Sequence, residues 1–529
     1  MALLSNVITS MQCPIPSRFG RTRPMQYPIP SRFGRSCRMP IAACMNDDML
    51  HLISRNRFPP DFKFGTATSS FQVEGATEEG GRSPSIWDTF CEEPGKIPEG
   101  ADWRTSNDSY HLYMEDIKIM KNMGFDSYRF SISWPRILPK GTKEGGINQE
   151  GINYYKKLIA CLQENGIEPF VTLFHWDLPE ELDAMYGGFL NKNIIEPFKD
   201  FADVCFKEFG DRVKHWTTMN EPNIFTWLGY DVGELAPGRC SDRETCDFGD
   251  SATEPYIVAH NLILCHAATV ELYRSKYQAT QKGEIGITLE ASWFEPYSSS
   301  NPDQQAVERA MDFNYGWFLE PVVFGDYPFS MRAIVKERLP TFTEKETKMI
   351  KSSFDFIGLN YYYRYYAKSL PIKYDDEPTS YSRDNYVEQC DKKDCTPIGI
   401  VQEGVVPPSV YPRGIKDLVL YVKSRFGNPT IYITENGLGI NVREGRTMED
   451  SVRINFHAAH LLELQDALRK GANVKGYFVW SLMDNFEWAS GYKVNYGICS
   501  IDRTKPSLDR IPKKSADWFA KFLSKKSLE

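Results

Sequence analysis

The sequence predicts an α/β fold, a (β/α)8 TIM barrel forming a single domain with long mouth loops. Three observations carry this. Eight apolar, β-rich runs recur between about residues 54 and 482, each followed by chain of helical character. No GxGxxG follows the first run, which disfavours a doubly wound dinucleotide-binding sheet. Two long connections, 231–256 and 365–412, are rich in Gly, Pro, Ser and charge, as loops lining a barrel mouth are.

The expected strands, in order, are 62–73, 127–134, 168–176, 215–220, 284–293, 354–362, 430–435 and 474–482. Between several of them the period changes to that of an amphipathic helix. Residues 154–164 form one, stopped by Asn165-Gly166 and followed by a strand led by Pro169. Residues 194–209 form another, with Ile194, Ile195, Phe198, Phe201, Ala202, Cys205 and Phe209 on one face. A third spans 450–469 and ends before Gly471.

At 529 residues, 41% hydrophobic and 25% charged, the chain has ample material for a large core. Its net charge of −8 argues against a nucleic-acid partner held by a basic surface. No apolar run approaches the roughly 18 residues that a membrane-spanning helix needs. The 12 Cys contain no CxxC pair, which excludes a zinc ribbon or a thioredoxin-like motif. Cys240 with Cys246, or Cys390 with Cys395, can close a small loop; in a reducing compartment either pair stays as thiols. His215, His260, His266, His457 and His460 read as core residues or as supports behind the site, because no carboxylate clusters with them to make a metal site. No metal and no cofactor is therefore expected. Trp134, Trp176 and Trp216 read as packing aromatics. Oligomeric state stays open, a homo-oligomer included.

The first 46 residues stand apart, as a disordered leader ahead of a barrel domain expected over 54–525. They hold no Asp or Glu but six arginines, at 18, 21, 23, 32, 35 and 38. They also repeat themselves: MQCPIPSRFGR (11–21) returns as MQYPIPSRFGR (25–35), a tandem duplication rich in Pro. An arginine- and serine-bearing, acid-free leader resembles a plastid transit peptide, with the vacuole or secretion as the alternative destination. The sequence carries a sequon, Asn107-Asp108-Ser109.

In a barrel of this kind the chemistry sits at the C-terminal strand ends, which open onto one face. Those ends carry Gln72 and Glu74, then His175-Trp176-Asp177, then Asn220-Glu221-Pro222. Further along come Asn360-Tyr361-Tyr362, Glu435-Asn436-Gly437, and Trp480 through Trp488. One isolated Glu in such a place is as readily a charge favoured by a helix dipole. Two, each beside Asn and on strands facing across the barrel, point instead to paired carboxylates. In a mouth lined by Trp, Tyr, Gln and His, that pairing suits glycosidic bond cleavage. One carboxyl must be protonated to assist the leaving oxygen and the other ionised to attack the anomeric carbon.

Eight stretches, in order, make the resemblance specific: FGTATSSFQVEGA (64–76), SIWDTF (85–90), YRFSISWPRILP (128–139), TLFHWDLP (172–179), TMNEPN (218–223), DFIGLNYY (355–362), YITENG (432–437) and WSLMDNFEW (480–488). Over nearly all of 54–525 the chain resembles glycoside hydrolase family 1 of the plant β-glucosidase type. The resemblance implies Glu221 as acid/base and Glu435 as nucleophile of a retaining double displacement, about 5 Å apart. It implies that Gln72, His175, Asn220, Glu487 and Trp488 bind hydroxyls of the terminal sugar above a Trp480 platform. Asn360 and Tyr362 would surround the nucleophile, with Tyr362 donating a hydrogen bond, and Arg129 would hold it ionised. The expected partner is a small-molecule O-glycoside of plant specialised metabolism. Relatives cleaving thioglucosides lack the acid/base carboxylate, and Glu221 is present. Relatives acting on 6-phosphosugars replace the Glu487 carboxylate and add a Lys, where this chain has Val494. On the aglycone side, 407–410 lack the Trp common before Tyr411-Pro412, Ala489 follows the last motif and Tyr496 stands where Phe is common. An altered rim of this kind leaves a diglycosidase releasing an intact disaccharide, or a transglycosidase, as the alternative.

Overall fold

Each expected β-rich run becomes one stave of a closed barrel in the computed structural model, which describes residues 53–373, 379–442 and 448–524. The staves are β1 (Lys63–Ala67), β2 (Ser127–Ser131), β3 (Glu168–Phe174), β4 (His215–Asn220), β5 (Glu284–Glu290), β6 (Phe356–Asn360), β7 (Ile431–Asn436) and β8 (Val474–Trp480). Each pairs in parallel with its neighbours in sequence, and β8 closes onto β1 from Lys63↔Gly476 to Ala67↔Trp480. A parallel strand must bury both faces, which is why these segments read as continuous apolar runs. All six residues of β7 are buried, as are all but the first of β3 and β5.

The main return helices are α1 (Ser109–Met123), α2 (Gln149–Glu164), α3 (Ile195–Phe209), α4 (Glu254–Leu272), α5 (Trp317–Phe324), α6 (Arg413–Arg425), α7 (Ser451–Arg469) and α8 (Lys514–Leu523). α2 starts earlier than its apolar period suggests, because the Asn148 side chain caps it by accepting from Glu150 N. Its end at Asn165-Gly166 is as expected, with Gly166 at φ +73°. α3 buries Phe198, Phe201, Ala202, Cys205, Phe206 and Phe209 against the barrel.

Several strands are shorter than their apolar runs. β1 stops at Ala67; the chain then turns into a short helix, Ser70–Val73, which carries Gln72. The turn is fixed by Ser70 N donating to Ser131 Oγ. After β2, Trp134 opens a helical turn, Trp134–Ile137. After β5, Trp293–Pro296 leaves the barrel and pairs with Arg364–Ser369 in an outer sheet. Apolar residues beyond the ladder pack the mouth, so hydrophobicity alone overstates strand length.

The barrel floor is aromatic. The Phe170 ring stacks on His215 at 4.0 Å and meets Phe478 at 4.8 Å and Tyr432 at 5.4 Å. His215 Nδ1 lies 2.9 Å from Glu168, a contact at the floor and not at the mouth. Trp134, Trp176 and Trp216 are buried. Of the two candidate loops, 231–256 closes through a Cys240–Cys246 disulfide, whereas Cys390 and Cys395 are free thiols. Loop 365–412 folds into short outer ladders, among them Arg364–Ser369 with Val387–Cys390 and Ile400–Val401 with Ser409–Val410. Among the described residues no helix is long and apolar enough to cross a membrane, and no cluster of three or more metal-ligating side chains occurs. The expected leader, 1–46, lies outside the described residues.

Candidate active site

Above the aromatic floor lies a charged layer supplied by strands far apart in sequence. Arg129, from β2, donates through Nη1 to Glu435 Oε1 and through Nη2 to Asn220 Oδ1, each at 2.5 Å. Arg129 is 1% exposed and Glu435 3%, so this is a desolvated, charge-assisted pair. Tyr362 OH donates to the other Glu435 oxygen at 2.9 Å. Burial, with Glu435 and Glu221 facing it, pushes the Tyr362 phenol well above its usual range, so it stays a donor.

Glu221 sits at the end of β4 in the left-handed region, at φ +43°. That backbone costs a non-glycine residue about 1–3 kcal/mol and aims the side chain into the mouth. Pro222, next in sequence, starts a short helix, Pro222–Trp227. Glu221 Oε1 accepts from Asn360 Nδ2 at 2.8 Å, and the same amide donates to Asn220 Oδ1 at 3.1 Å. Thr434 Oγ1 donates to Asn360 Oδ1 at 2.7 Å and fixes which end of that amide faces the acid.

The two carboxyls differ by their neighbours. Burial raises Glu221 well above its ordinary range, the Glu435 charge and then Glu290 raise it further, and Arg129 opposes them from a distance. Burial raises Glu435 as well, but Arg129, in direct contact, holds it down by charge and hydrogen bond, and Tyr362 assists. Arg129 was expected to bring Glu435 below its normal value; desolvation outweighs it, and Glu435 lies above that value. In a coupled pair what matters is where the first negative charge resides, and the cation places it on Glu435.

His175, just beyond β3, has a defined tautomer. Asn220 Oδ1 is occupied by Arg129 and Asn360, so its Nδ2 donates to His175 Nε2 at 3.1 Å. Burial and Arg129 lower His175 well below its usual value. It is thus neutral with its proton on Nδ1, a buried atom without a partner among the described residues and available as a donor to a ligand. Its ring lies between Trp480 (5.9 Å) and Trp488 (6.0 Å), each tilted 19° from it. Trp488 is packed by Phe71, Trp87 and Trp176. Gln72 Nε2 donates to Phe486 O at 3.1 Å and to Glu487 Oε2 at 3.4 Å, and its oxygen accepts from Ser69 Oγ. Burial, with Glu435 nearby, raises Glu487 to about 7. Tyr496 meets Tyr362 edge-on at 6.1 Å, its buried hydroxyl unpartnered among the described residues. Cys240 and Cys246 staple an outer loop and are not among these contacts.

Every other sequence-predicted site residue thus enters this one contact network. The structure adds Glu290, at the end of β5, and Asn314. Glu290 escaped notice because its strand was expected to run to 293, which hid it inside an apolar run. Trp176, read as packing, also donates to Asn220 O at 2.9 Å and so holds the end of β4. Beside Glu290 opens a cavity of about 910 Å³ whose walls mix apolar side chains, among them Ile224, Trp227 and Phe313, with charged ones, among them Arg338, Asp384 and Glu388.

Comparison with known proteins agrees with this geometry. The family model described as glycosyl hydrolase family 1 matches residues 54–528. A furostanol glycoside 26-O-beta-glucosidase of Hellenia speciosa is 52% identical over 474 residues, covering 89% of this chain and 84% of that protein. The rice beta-glucosidase Os3BGlu6 superposes with a TM-score of 0.86 at 44% identity, covering 88% of this chain and 99% of that one. A mutant of the same rice enzyme, with the same score, identity and coverage, was solved in a covalent complex with glucose. With the paired carboxyls in a barrel mouth and a match over nearly the whole described chain, the chain belongs to glycosyl hydrolase family 1 and is an O-glycosyl hydrolase of the β-glucosidase type.

Proposed function

We propose that Glu435 is the nucleophile and Glu221 the acid/base of a retaining hydrolysis of β-glucosides. The observation that carries this is the unequal setting of two buried carboxyls: Glu435 is paired to Arg129, and Glu221 holds only the Asn360 amide. In the first step a Glu435 oxygen attacks the anomeric carbon while the bond to the aglycone oxygen breaks. Glu221 gives that oxygen its proton, which leaves a glycosyl ester on Glu435. In the second step Glu221, now a carboxylate, takes a proton from water. The hydroxide oxygen attacks the anomeric carbon and Glu435 is released. Gln72, His175, Asn220 and Glu487 offer donors and acceptors for the hydroxyls of the sugar, Trp480 an apolar face and Trp488 a further indole. The test is trapping with a 2-fluoroglucoside followed by peptide mapping. An ester on Glu435 is expected, and an ester on any other residue overturns the assignment.

The cavity beside Glu290 supports a bulky aglycone from plant specialised metabolism. Its volume lies at the upper end of small-molecule sites, typically about 300–1,000 Å³, and its lining mixes rings and aliphatic side chains with charged groups such as Lys336, Arg338, Asp384 and Glu388. The relative from Hellenia speciosa, by its name, acts on a furostanol glycoside, an aglycone of that kind. A second reading, release of an intact disaccharide, draws on the small Ala489 side chain beside Trp488. One panel separates them: a steroidal or terpenoid monoglucoside, an aryl glucoside, and the corresponding disaccharide glycoside. A higher kcat/KM for the bulky monoglucoside supports the first reading; preference for the disaccharide supports the second. For location, the acid-free leader with its six arginines supports delivery to plastids. Residues 1–46 fused to a fluorescent protein are expected to label plastids, and cytosolic or secreted fluorescence would overturn that reading.

A further inference from the structure

Glu290 is a buried carboxyl, 1% exposed, with no cation paired to it among the described residues. Among the described residues its oxygens accept from neutral donors, Ser292 Oγ at 2.7 Å and Asn314 Nδ2 at 3.0 Å. Leaving a carboxyl so placed is costly once it ionises, because no opposite charge offsets its lost hydration. Its position bears on the acid/base. Glu290 is in register with Asn360, the side chain that donates to Glu221. Glu221 N in turn donates to Thr288 O, two residues before Glu290 on the same strand, and Asn223 Nδ2 donates to the Glu290 carbonyl. The acid and this carboxyl thus stand on adjacent staves, whose ends are tied by the Glu221 N–Thr288 O and Asn223 Nδ2–Glu290 O hydrogen bonds.

We infer that Glu290 is a positioning residue for the proton on Glu221, and that its charge sets the alkaline limit of turnover. The inference rests on Glu221 being the acid/base. The charged and titratable groups facing Glu221 are Glu435 from β7, Glu290 from β5 and Arg129 from β2, with the Tyr362 and Tyr496 phenols beside it. Those facing Glu290, besides Glu221, are the phenols of Tyr315, Tyr363, Tyr365 and Tyr381, all pushed up by burial and hence neutral. Burial raises Glu290 itself to about 7, so it becomes an anion as pH rises past neutrality. A new negative charge there makes a second one on Glu221 harder to form, and turnover extends further into base.

The test is the pH profile of kcat/KM with an alkyl glucoside, whose poor leaving group demands the acid. Glu290→Gln keeps the size and an acceptor oxygen but cannot ionise. Its basic limb is expected to fall about one pH unit earlier, while the acidic limb stays put. A basic limb that coincides with wild type overturns the inference. Glu290→Asp, which restores the charge, is expected to return the limb towards wild type, which a merely structural role would not do. If Glu290→Gln does not fold, Asn314→Leu replaces it. Loss of that donor makes Glu290 harder to ionise, so the basic limb again moves earlier, and an unchanged limb again overturns the inference. Glu221→Gln measured alongside separates the two claims. It abolishes the basic limb if Glu221 is the acid, whatever Glu290 does, and an unaltered profile would refute that assignment instead.

Discussion

Glu221 and Glu435 have the same side chain, and only their partners distinguish them. Arg129 and Tyr362 supply Glu435 with a cation and a phenol donor, while Glu221 has an amide. Glu435→Gln is expected to lower kcat by at least about 10³-fold while glucose binding stays measurable by calorimetry. Undiminished turnover would remove Glu435 from the chemistry. Glu221→Gln is expected to cost about 10²–10⁴-fold on an alkyl glucoside and much less on a dinitrophenyl glucoside, whose leaving group needs no proton. Equal losses on both would contradict an acid role. Tyr362→Phe takes away a hydrogen bond to a charged oxygen, which corresponds to about a tenfold loss in kcat/KM. It also moves the acidic limb to higher pH, because Glu435 then holds its proton more readily. At this scale the sequence was legible for both glutamates and for Arg129. It was silent on Glu290, because an apolar run conceals where a strand ends.

At the scale of elements, strand order and helix identity followed from period and punctuation, as α2 and α3 illustrate. Strand ends did not, because Phe71, Trp134 and Trp293 are apolar for packing at the mouth and not for the ladder. Gly437 shows how tightly the end of β7 meets the end of β8: a Cβ there would lie 1.9 Å from the Trp480 carbonyl oxygen. Gly437→Ala must therefore push the end of β7, which carries Glu435, away from Trp480. A stability loss of about 1–3 kcal/mol in urea unfolding and a raised KM for aryl glucosides are expected. An unchanged KM would mean that the two strand ends move independently. The disulfide is the other local device. Gly233 lies against it, with a Cβ at that position only 2.0 Å from Cys246 Sγ, so the staple packs onto the segment that follows the acid/base helix. The sequence left open whether Cys240–Cys246 or Cys390–Cys395 would close a loop. Spacing permits either, and three-dimensional approach selects the first.

The whole molecule stores many buried ionisable groups, and these make its stability depend on pH. Burial raises Asp177 to about 8 and Asp231, Glu290 and Glu487 to about 7. A carboxyl with a folded pKa above its unfolded one binds more protons when folded, so its contribution is complete below the ordinary carboxylate range. That contribution is lost as pH rises through 7–8. Buried His266, lowered to about 3, and His260 and His460, lowered to about 4, act oppositely: their contribution is complete above 6.5 and lost as pH falls. The two sets oppose each other between about 4 and 6.5, and only the carboxyl loss continues beyond. Scanning fluorimetry at constant ionic strength is therefore expected to show Tm falling between pH 6.5 and 8. A Tm that rises over that interval would contradict the buried carboxyl assignments.

By itself the sequence determined the number of staves, most of the helices between them and the two acidic positions at the mouth. Those properties are written locally, in hydrophobic period, turn residues and short motifs that each span a few positions. Only the tertiary structure decided how strongly desolvation opposes Arg129 at Glu435, which nitrogen of His175 carries its proton, and that Glu290 stands on the stave beside Glu221. Each of these depends on desolvation and on through-space partners. Arg129 and Glu435, 306 residues apart in the chain, become a 2.5 Å pair only when the barrel closes.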